Sequence, residues 1–306
     1  MLPEMNAPKP GNNLTSLSVI DFAMFCVALI WAANNIITKI TYTEMKPETF
    51  MSLRFIIASA LFLLVLFWKE PGFNVRRGDW GWIVLLGIVG TSVLQPLYLK
   101  GLSLTTASNT SLIMTFAPAI VALLNRWFYG EVFNRRGWLG VGLAFLGVFL
   151  IIQNGQGFRL GGATINGDVL ELAGAFFWAL YTVLVTLLVR RYSPLLITAL
   201  STAIGTLPLL ALGGPGALSQ DWEKVTIIGW GGVVFSAAIG VVLAYLIWNI
   251  SVSKIGGART AIYQNMSPVM TVIGGALILG EGITLPKVIG AVMILGGVYI
   301  VRTAGR

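Results

Sequence analysis

Ten nearly unbroken apolar stretches alternate along the chain with short polar or Gly/Pro-rich pieces, such as Lys69-Glu70-Pro71-Gly72 and Gly213-Gly214-Pro215-Gly216. They fall at roughly 19–41, 48–68, 80–101, 106–127, 137–153, 167–189, 194–212, 225–250, 257–279 and 286–302. A hydrocarbon core of about 30 Å needs roughly 20 helical residues, which most of these stretches supply. Only helices and closed barrels satisfy their backbone groups there, and the alternating pattern of barrel strands is missing. The pattern predicts an all-α integral membrane protein of ten transmembrane helices. The fifth and tenth stretches are short and Gly-spaced (Gly140, Gly147; Gly290, Gly297), which suits close helix contact.

The pattern also repeats. Residues 96–152 lie over 246–302 without a gap, matching Ser103 with Ser253, Thr110 with Thr260, Pro118 with Pro268 and Gly130-Glu131 with Gly280-Glu281. An earlier block pairs Asp21, Trp31-Ala32 and Pro47 with Asp168, Trp178-Ala179 and Pro194. Each copy holds five spans, an odd number, so the second enters the membrane in the opposite sense. Inverted repeats place related half-sites around a pseudo-two-fold axis in the membrane plane, as in secondary transporters.

Composition strengthens the membrane reading: 56% of residues are apolar, 10% charged and 36 are glycine. No soluble domain of this size covers its surface with so few charges. The net charge of +8 suggests a nucleic-acid partner only until the charges are placed. With the N-terminus inside, thirteen Lys/Arg (Arg76, Arg77, Arg190 and Arg191 among them) fall on the inner side and six, including Arg159 and Lys224, on the outer. This bias puts both termini in the cytoplasm. Cys26 is the single cysteine and lies within the first span, which excludes an intrachain disulfide. The first span is too long for a signal-peptide core and has no cleavage pattern.

Polar residues inside spans face other helices or water. In the first helix Trp31, Asn34, Asn35 and Thr38 form one polar face, and in the sixth Glu171, Trp178, Tyr181 and Thr182 do the same. In the third, Thr91, Gln95 and Tyr98 share a face whose mates are Val241, Tyr245 and Trp248, while Tyr263 and Gln264 mark the ninth. These residues are expected to line a common cavity. Interhelical hydrogen bonding is the alternative for the first and sixth helices, and an interfacial aromatic belt the alternative for Tyr98 and Trp248. Arg54 is the one cation inside a span and must find water, a carbonyl or an acid, or else a substrate carboxylate. Glu171 is the second candidate charge partner. Pro118 and Pro268 each remove a mid-helix donor and should kink their helices. Glu131 and Glu281 follow a Gly at a helix end and read as structural caps.

These residues resemble the drug/metabolite transporter superfamily, in its branch of ten-helix EamA-type permeases. The resemblance rests on Ala107…Pro118…Gly130-Glu131…Gly140…Gly147 with its copy Gly257…Pro268…Gly280-Glu281…Gly290…Gly297, on Trp31-Ala32 with Trp178-Ala179, and on Pro47…Arg54-Phe55. It implies two EamA-like five-helix repeats at 18–154 and 165–304; the polar residues 1–17 before them read as a disordered cytoplasmic tail. It further implies a carrier in the cytoplasmic (inner) membrane, often an exporter of amino acids or toxic compounds, with a central cavity lined by the first, third and fourth helices of each half.

The chain has no His, no Cys pair, no HExxH and no phosphate-binding loop, so neither catalysis nor a metal or other cofactor is expected. The expected partners are a small-molecule substrate, the lipid bilayer and a candidate coupling proton or ion. No nucleic acid is expected, and the protein should be a monomer or weak dimer. The favoured function is secondary active export of amino acids or related metabolites by alternating access. An exporter of cationic drugs is the first rival, and would need a membrane carboxylate at the cavity. An intramembrane enzyme acting on lipid intermediates is a remote one.

Overall fold

The computed structural model describes residues 19–129, 134–153 and 164–304, and among them every regular element is helical. Glu131 and Arg159, like residues 1–17, lie outside the described residues. The first half holds α1 (Val19–Thr41), α2 (Pro47–Lys69), α3 (Arg77–Leu104), α4 (Ala107–Phe128) and α5 (Arg135–Gln153). The second holds α6 (Ile165–Leu188), α7 (Pro194–Leu218), α8 (Ile227–Ile255), α9 (Arg259–Leu279) and α10 (Leu285–Ala304). Nine are long and apolar enough to cross a bilayer, and the apolar part of α10, Leu285–Val301, is shorter.

Local chemistry sets many of the helix starts. Pro47 and Pro194 open α2 and α7, where the missing N–H costs nothing. Ser193, Thr106 and Thr226 cap α7, α4 and α8 by accepting the N–H of Leu196, Asn109 and Ile228. Two helices run on well past their expected ends, α8 to Ile255 rather than 250 and α7 further still. Helix α7 runs through Gly213-Gly214-Pro215-Gly216 to Leu218 rather than ending at 212. Those glycines serve packing: a methyl group at Gly213 would fall 1.8 Å from Ser52 Oγ, and one at Gly216 2.9 Å from Glu48 Cβ on α2.

The contact between α5 and α10 reveals the relation of the halves. Gly140 meets the Gly297 carbonyl and Gly147 meets that of Gly290, so close that an added methyl would stand 2.7 Å and 2.6 Å from those oxygens. The two helices therefore run antiparallel. Gly140 and Gly290 are repeat mates, as are Gly147 and Gly297, so exchanging the halves turns each contact into the other. Only a two-fold axis perpendicular to these helices does that, and for spanning helices such an axis lies in the membrane plane.

Three mate pairs touch each other directly and so sit on that axis. They are Ser59 and Thr206 (hydroxyls 2.8 Å apart, 147 positions apart), Gln95 and Tyr245 (2.8 Å, 150 positions apart), and the rings of Trp31 and Trp178 (centroids 5.5 Å). The fold is an all-α membrane bundle of two inverted five-helix repeats, with its axis running through the centre.

Candidate functional site

The pseudo-axis passes through a cavity lined by Trp31, Asn34, Asn35, Arg54, Leu94, Gln95, Tyr98, Ser111, Met114, Trp178, Tyr245, Gln264 and Ser267. Two local departures from α-helical geometry shape it. Residues Ile88–Val93 of α3 and Ser236–Leu243 of α8 are π-helical, at equivalent places in the two repeats and just before Gln95 and Tyr245. Such insertions shift backbone register and recur at functional sites. Here they bring in two mate contacts: Gly90 against the Tyr181 ring and Gly240 against Asn34, where added methyls would stand 2.4 Å and 2.5 Å away. The Gly240 carbonyl accepts the indole N–H of Trp31 at 3.3 Å.

The second departure comes from the prolines. Helix α4 breaks at Thr115–Phe116, where both residues take i→i−3 hydrogen bonds, and α9 tightens to a 3-10 turn at Gln264–Met266. Pro118 and Pro268 cannot donate to the carbonyls four residues back, those of Met114 and Gln264. Those two residues are repeat mates, and both line the cavity.

An aromatic cluster forms one wall. The rings of Trp31, Trp178 and Trp248 pack at centroid distances of 5.0–5.5 Å, and Tyr245 lies 5.5 Å from Trp178. Each such pair adds about 0.5–1.5 kcal/mol beyond area burial. Polar tips are mostly engaged: Trp178 Nε1 donates to Gln264 Oε1 at 2.9 Å, Gln95 Nε2 to Tyr245 Oη at 2.8 Å, Ser236 Oγ to Asn34 Oδ1 at 2.6 Å, and Tyr98 Oη to Asn35 Oδ1.

Among the described residues that line the cavity, two carry unsatisfied atoms. Arg54 is only 3% exposed, yet its Nε and Nη1 have no acceptor, and Gln95 Oε1 has no donor. A buried unsatisfied polar atom costs about 1–3 kcal/mol, more for a charged one. The cavity wall thus carries unmet donors at Arg54 and an unmet acceptor at Gln95. At about 70 Å³ the cavity is well below the roughly 300–1,000 Å³ of drug-sized sites, so it suits a few heavy atoms unless its walls move.

Of the residues singled out in the sequence, Trp31, Asn34, Asn35, Arg54, Gln95, Tyr98, Trp178, Tyr245 and Gln264 come together here. The others stand elsewhere, Thr38, Thr91 and Thr182 among them, all three buried outside the cavity lining. Tyr181 stacks on Trp178 from behind (5.5 Å, 18°) and its hydroxyl accepts from Asn249 Nδ2. Trp248 is wholly buried against the two tryptophans, not in an interfacial belt. Tyr263 donates to Asp21 Oδ1. Glu171 shares the angular face of Trp178 but lies seven residues away, about 10 Å along the helix, where α6 meets Gly101 and Thr110 instead of the cavity. Glu281 grips the start of α4 by accepting from the backbone N–H of Ala107 (2.7 Å) and Ser108 (2.9 Å). Leu94, Met114 and Ser267 were not foreseen; the offset of Met114 from Pro118 was the available signal.

Two stretches, residues 18–153 and 165–303, match the EamA-like transporter family, one on each repeat. The chain belongs to the EamA-like transporter family. It is 31% identical over 265 residues to an uncharacterized transporter of Bacillus subtilis, YyaM, covering 86% of each chain. An uncharacterized transporter of Archaeoglobus fulgidus is 30% identical over 274 residues, covering 89% of this chain and 93% of that one. A protein named probable amino-acid metabolite efflux pump, of Salmonella typhimurium, is 24% identical over 300 residues, with 91% and 93% covered. A solved crystal structure superposes with a TM-score of 0.65 at 20% identity over 95% of this chain and 98% of that one, which shows the shared fold. This EamA-like protein is a multi-pass membrane transporter and not an enzyme.

Proposed function

We propose that the protein exports small zwitterionic metabolites, amino acids or close relatives, by alternating access through the cavity on the pseudo-axis. The observation that carries this reading is the pair of unsatisfied groups on the walls of one cavity: Arg54 Nε and Nη1, and Gln95 Oε1. A substrate carboxylate satisfies the first and a substrate ammonium the second. The faces of Trp31 and Trp178 add attraction for a cation or an apolar side chain. Among the described residues no carboxylate lines the cavity, which disfavours a purely cationic drug.

The name of the Salmonella typhimurium relative, probable amino-acid metabolite efflux pump, supports the same substrate class and an outward direction. The inverted repeat supports alternating access, because each half can adopt the conformation of the other. The Lys/Arg bias supports cytoplasmic termini, and the bacterial relatives support the inner membrane. Binding is tested with matched triplets: an amino acid, the amine it gives on decarboxylation and the acid it gives on deamination. Quenching of the cavity tryptophans reports occupancy. The amino acid should bind at least tenfold more tightly than either truncated form. Tightest binding by the amine would refute the proposal.

A further inference from the structure

Three acids of the second repeat hold the first at the α3–α4 turn, beyond the cavity. Asp168 accepts from Thr105 Oγ1 (2.5 Å) and from Asn109 Nδ2 (3.1 Å), Glu171 accepts from Thr110 Oγ1 (3.0 Å), and Glu281 holds the N–H groups of Ala107 and Ser108. Apart from Thr164, which also bonds Asp168 at the start of α6, these partners belong to the α3–α4 turn and the first turn of α4. That part of α4 ends at the break before Pro118, which makes it a lever hinged at the cavity wall.

Glu171 differs from the other two. It is wholly buried, and among the described residues its Oε2 has no hydrogen-bond partner and its carboxyl forms no ion pair. Its surroundings supply no committed cation. Lys39 on α1 is electrostatically within reach but divided between Glu171 and Glu281. Lys287 of α10 donates to the Gly282 carbonyl and senses Glu281 and Asp168. Asp168 stands one turn away on the same helix, and Tyr42 and Tyr98 approach from α1 and α3. The carboxyl is wedged at the outer end of α3, where a methyl on Gly101 would stand 2.8 Å from Oε1. Any motion that parts α3 and α4 from α6 returns it to water.

We infer that Glu171 is a proton-binding site that ties closure of this end of the cavity to pH on that side of the membrane. An ionised carboxylate with an unpartnered oxygen is costly in a dry seam, whereas the protonated acid is neutral and still accepts from Thr110 on Oε1. Closure therefore goes with proton uptake and opening with release. The arrangement is one-sided. The repeat mate of Glu171 is Met24, a buried apolar residue, so the opposite end carries no such site. In the proposed orientation the acidic end is the outer one, and external protons would promote the return of the emptied carrier.

The test needs no substrate, so it is independent of the amino-acid reading. In a Cys26→Ala background, Ala107→Cys places a thiol at a wholly buried position under the closed end. Labelling by a membrane-impermeant maleimide, corrected for thiolate content, should rise with pH by up to about tenfold per unit, the slope of a one-proton linkage. Glu171→Gln mimics the protonated acid and should label slowly at every pH. If that variant does not fold, Thr110→Val removes a donor to the carboxylate and should move the midpoint to higher pH. A slope unchanged in both variants, or one that follows sodium rather than protons, would overturn the inference.

Discussion

Replacing Arg54 by Gln should weaken carboxylate binding and yet leave the unliganded protein as stable as before, or more so. The guanidinium is 3% exposed and two of its nitrogens lack acceptors among the described residues, so its desolvation cost is offset only in part by its contact with the Phe55 ring, 5.4 Å from the centroid. A substrate carboxylate would satisfy both nitrogens. Hydrogen bonds involving a charged group contribute about 1.5–3 kcal/mol each, and Gln retains one neutral donor group. The net loss is about 3 kcal/mol, or about two orders of magnitude in Kd at about 1.4 kcal/mol per tenfold. Tryptophan quenching on the purified variant measures Kd, and thermal unfolding without ligand measures stability. The amine lacking the carboxylate should bind wild type and variant alike. Equal weakening for the amine, or a lower Tm with intact affinity, would show that Arg54 is a structural cation and refute the argument.

Gly140→Ala and Gly290→Ala are repeat mates that meet backbone carbonyls at the same 2.7 Å, so each should destabilise the protein by about 1–3 kcal/mol; thermal unfolding checks this, and a neutral effect would contradict the packing. In the Cys26→Ala background, cysteines at Arg76 and Arg191 should label only from the cytoplasm and one at Lys224 only from outside; reversed labelling overturns the orientation. Glu44 accepts from Thr226 Oγ1 and the N–H groups of Thr226 and Gly229, and these bonds hold its carboxyl below the usual 4.5, the Thr226 hydroxyl foremost. Its contribution to stability is therefore complete above the ordinary carboxylate value and is lost as pH falls through the depressed one. Glu44→Gln should show a smaller fall in Tm across that acidic range than wild type, and an identical fall would exclude the role.

The inverted fold was legible because it is written in coarse features. Apolar runs announce spans, an odd count of spans per repeat dictates inversion, and Gly140, Gly147, Gly290 and Gly297 mark the seam between α5 and α10. The cavity was legible where amphipathic side chains such as Trp31, Asn34, Gln95 and Gln264 break an apolar helix. Helical phase alone was not sufficient. Glu171 and Trp178 share a face, but two turns of height put one in a seam and the other at the cavity. Trp248 and Tyr181 are cavity-side residues screened by the rings in front of them, an ordering that depends on tertiary packing. The π-helical segments of α3 and α8 left no residue signature beyond Gly90 and Gly240, whose small size matters only once Tyr181 and Asn34 are seen against them. Met114 and Ser267 line the cavity because helices α4 and α9 break ahead of their prolines, a consequence of geometry rather than polarity.

Counterflow in proteoliposomes tests the central claim most directly. Vesicles containing the protein are loaded with one unlabelled member of a triplet, and uptake of trace radiolabelled amino acid is followed. Loading with the amino acid should drive transient accumulation above equilibrium, loading with its decarboxylated amine should not, and Arg54→Gln should abolish the overshoot without altering reconstitution. Overshoot driven by the amine, or an undiminished overshoot in Arg54→Gln, would contradict the account of a zwitterion carrier anchored at Arg54.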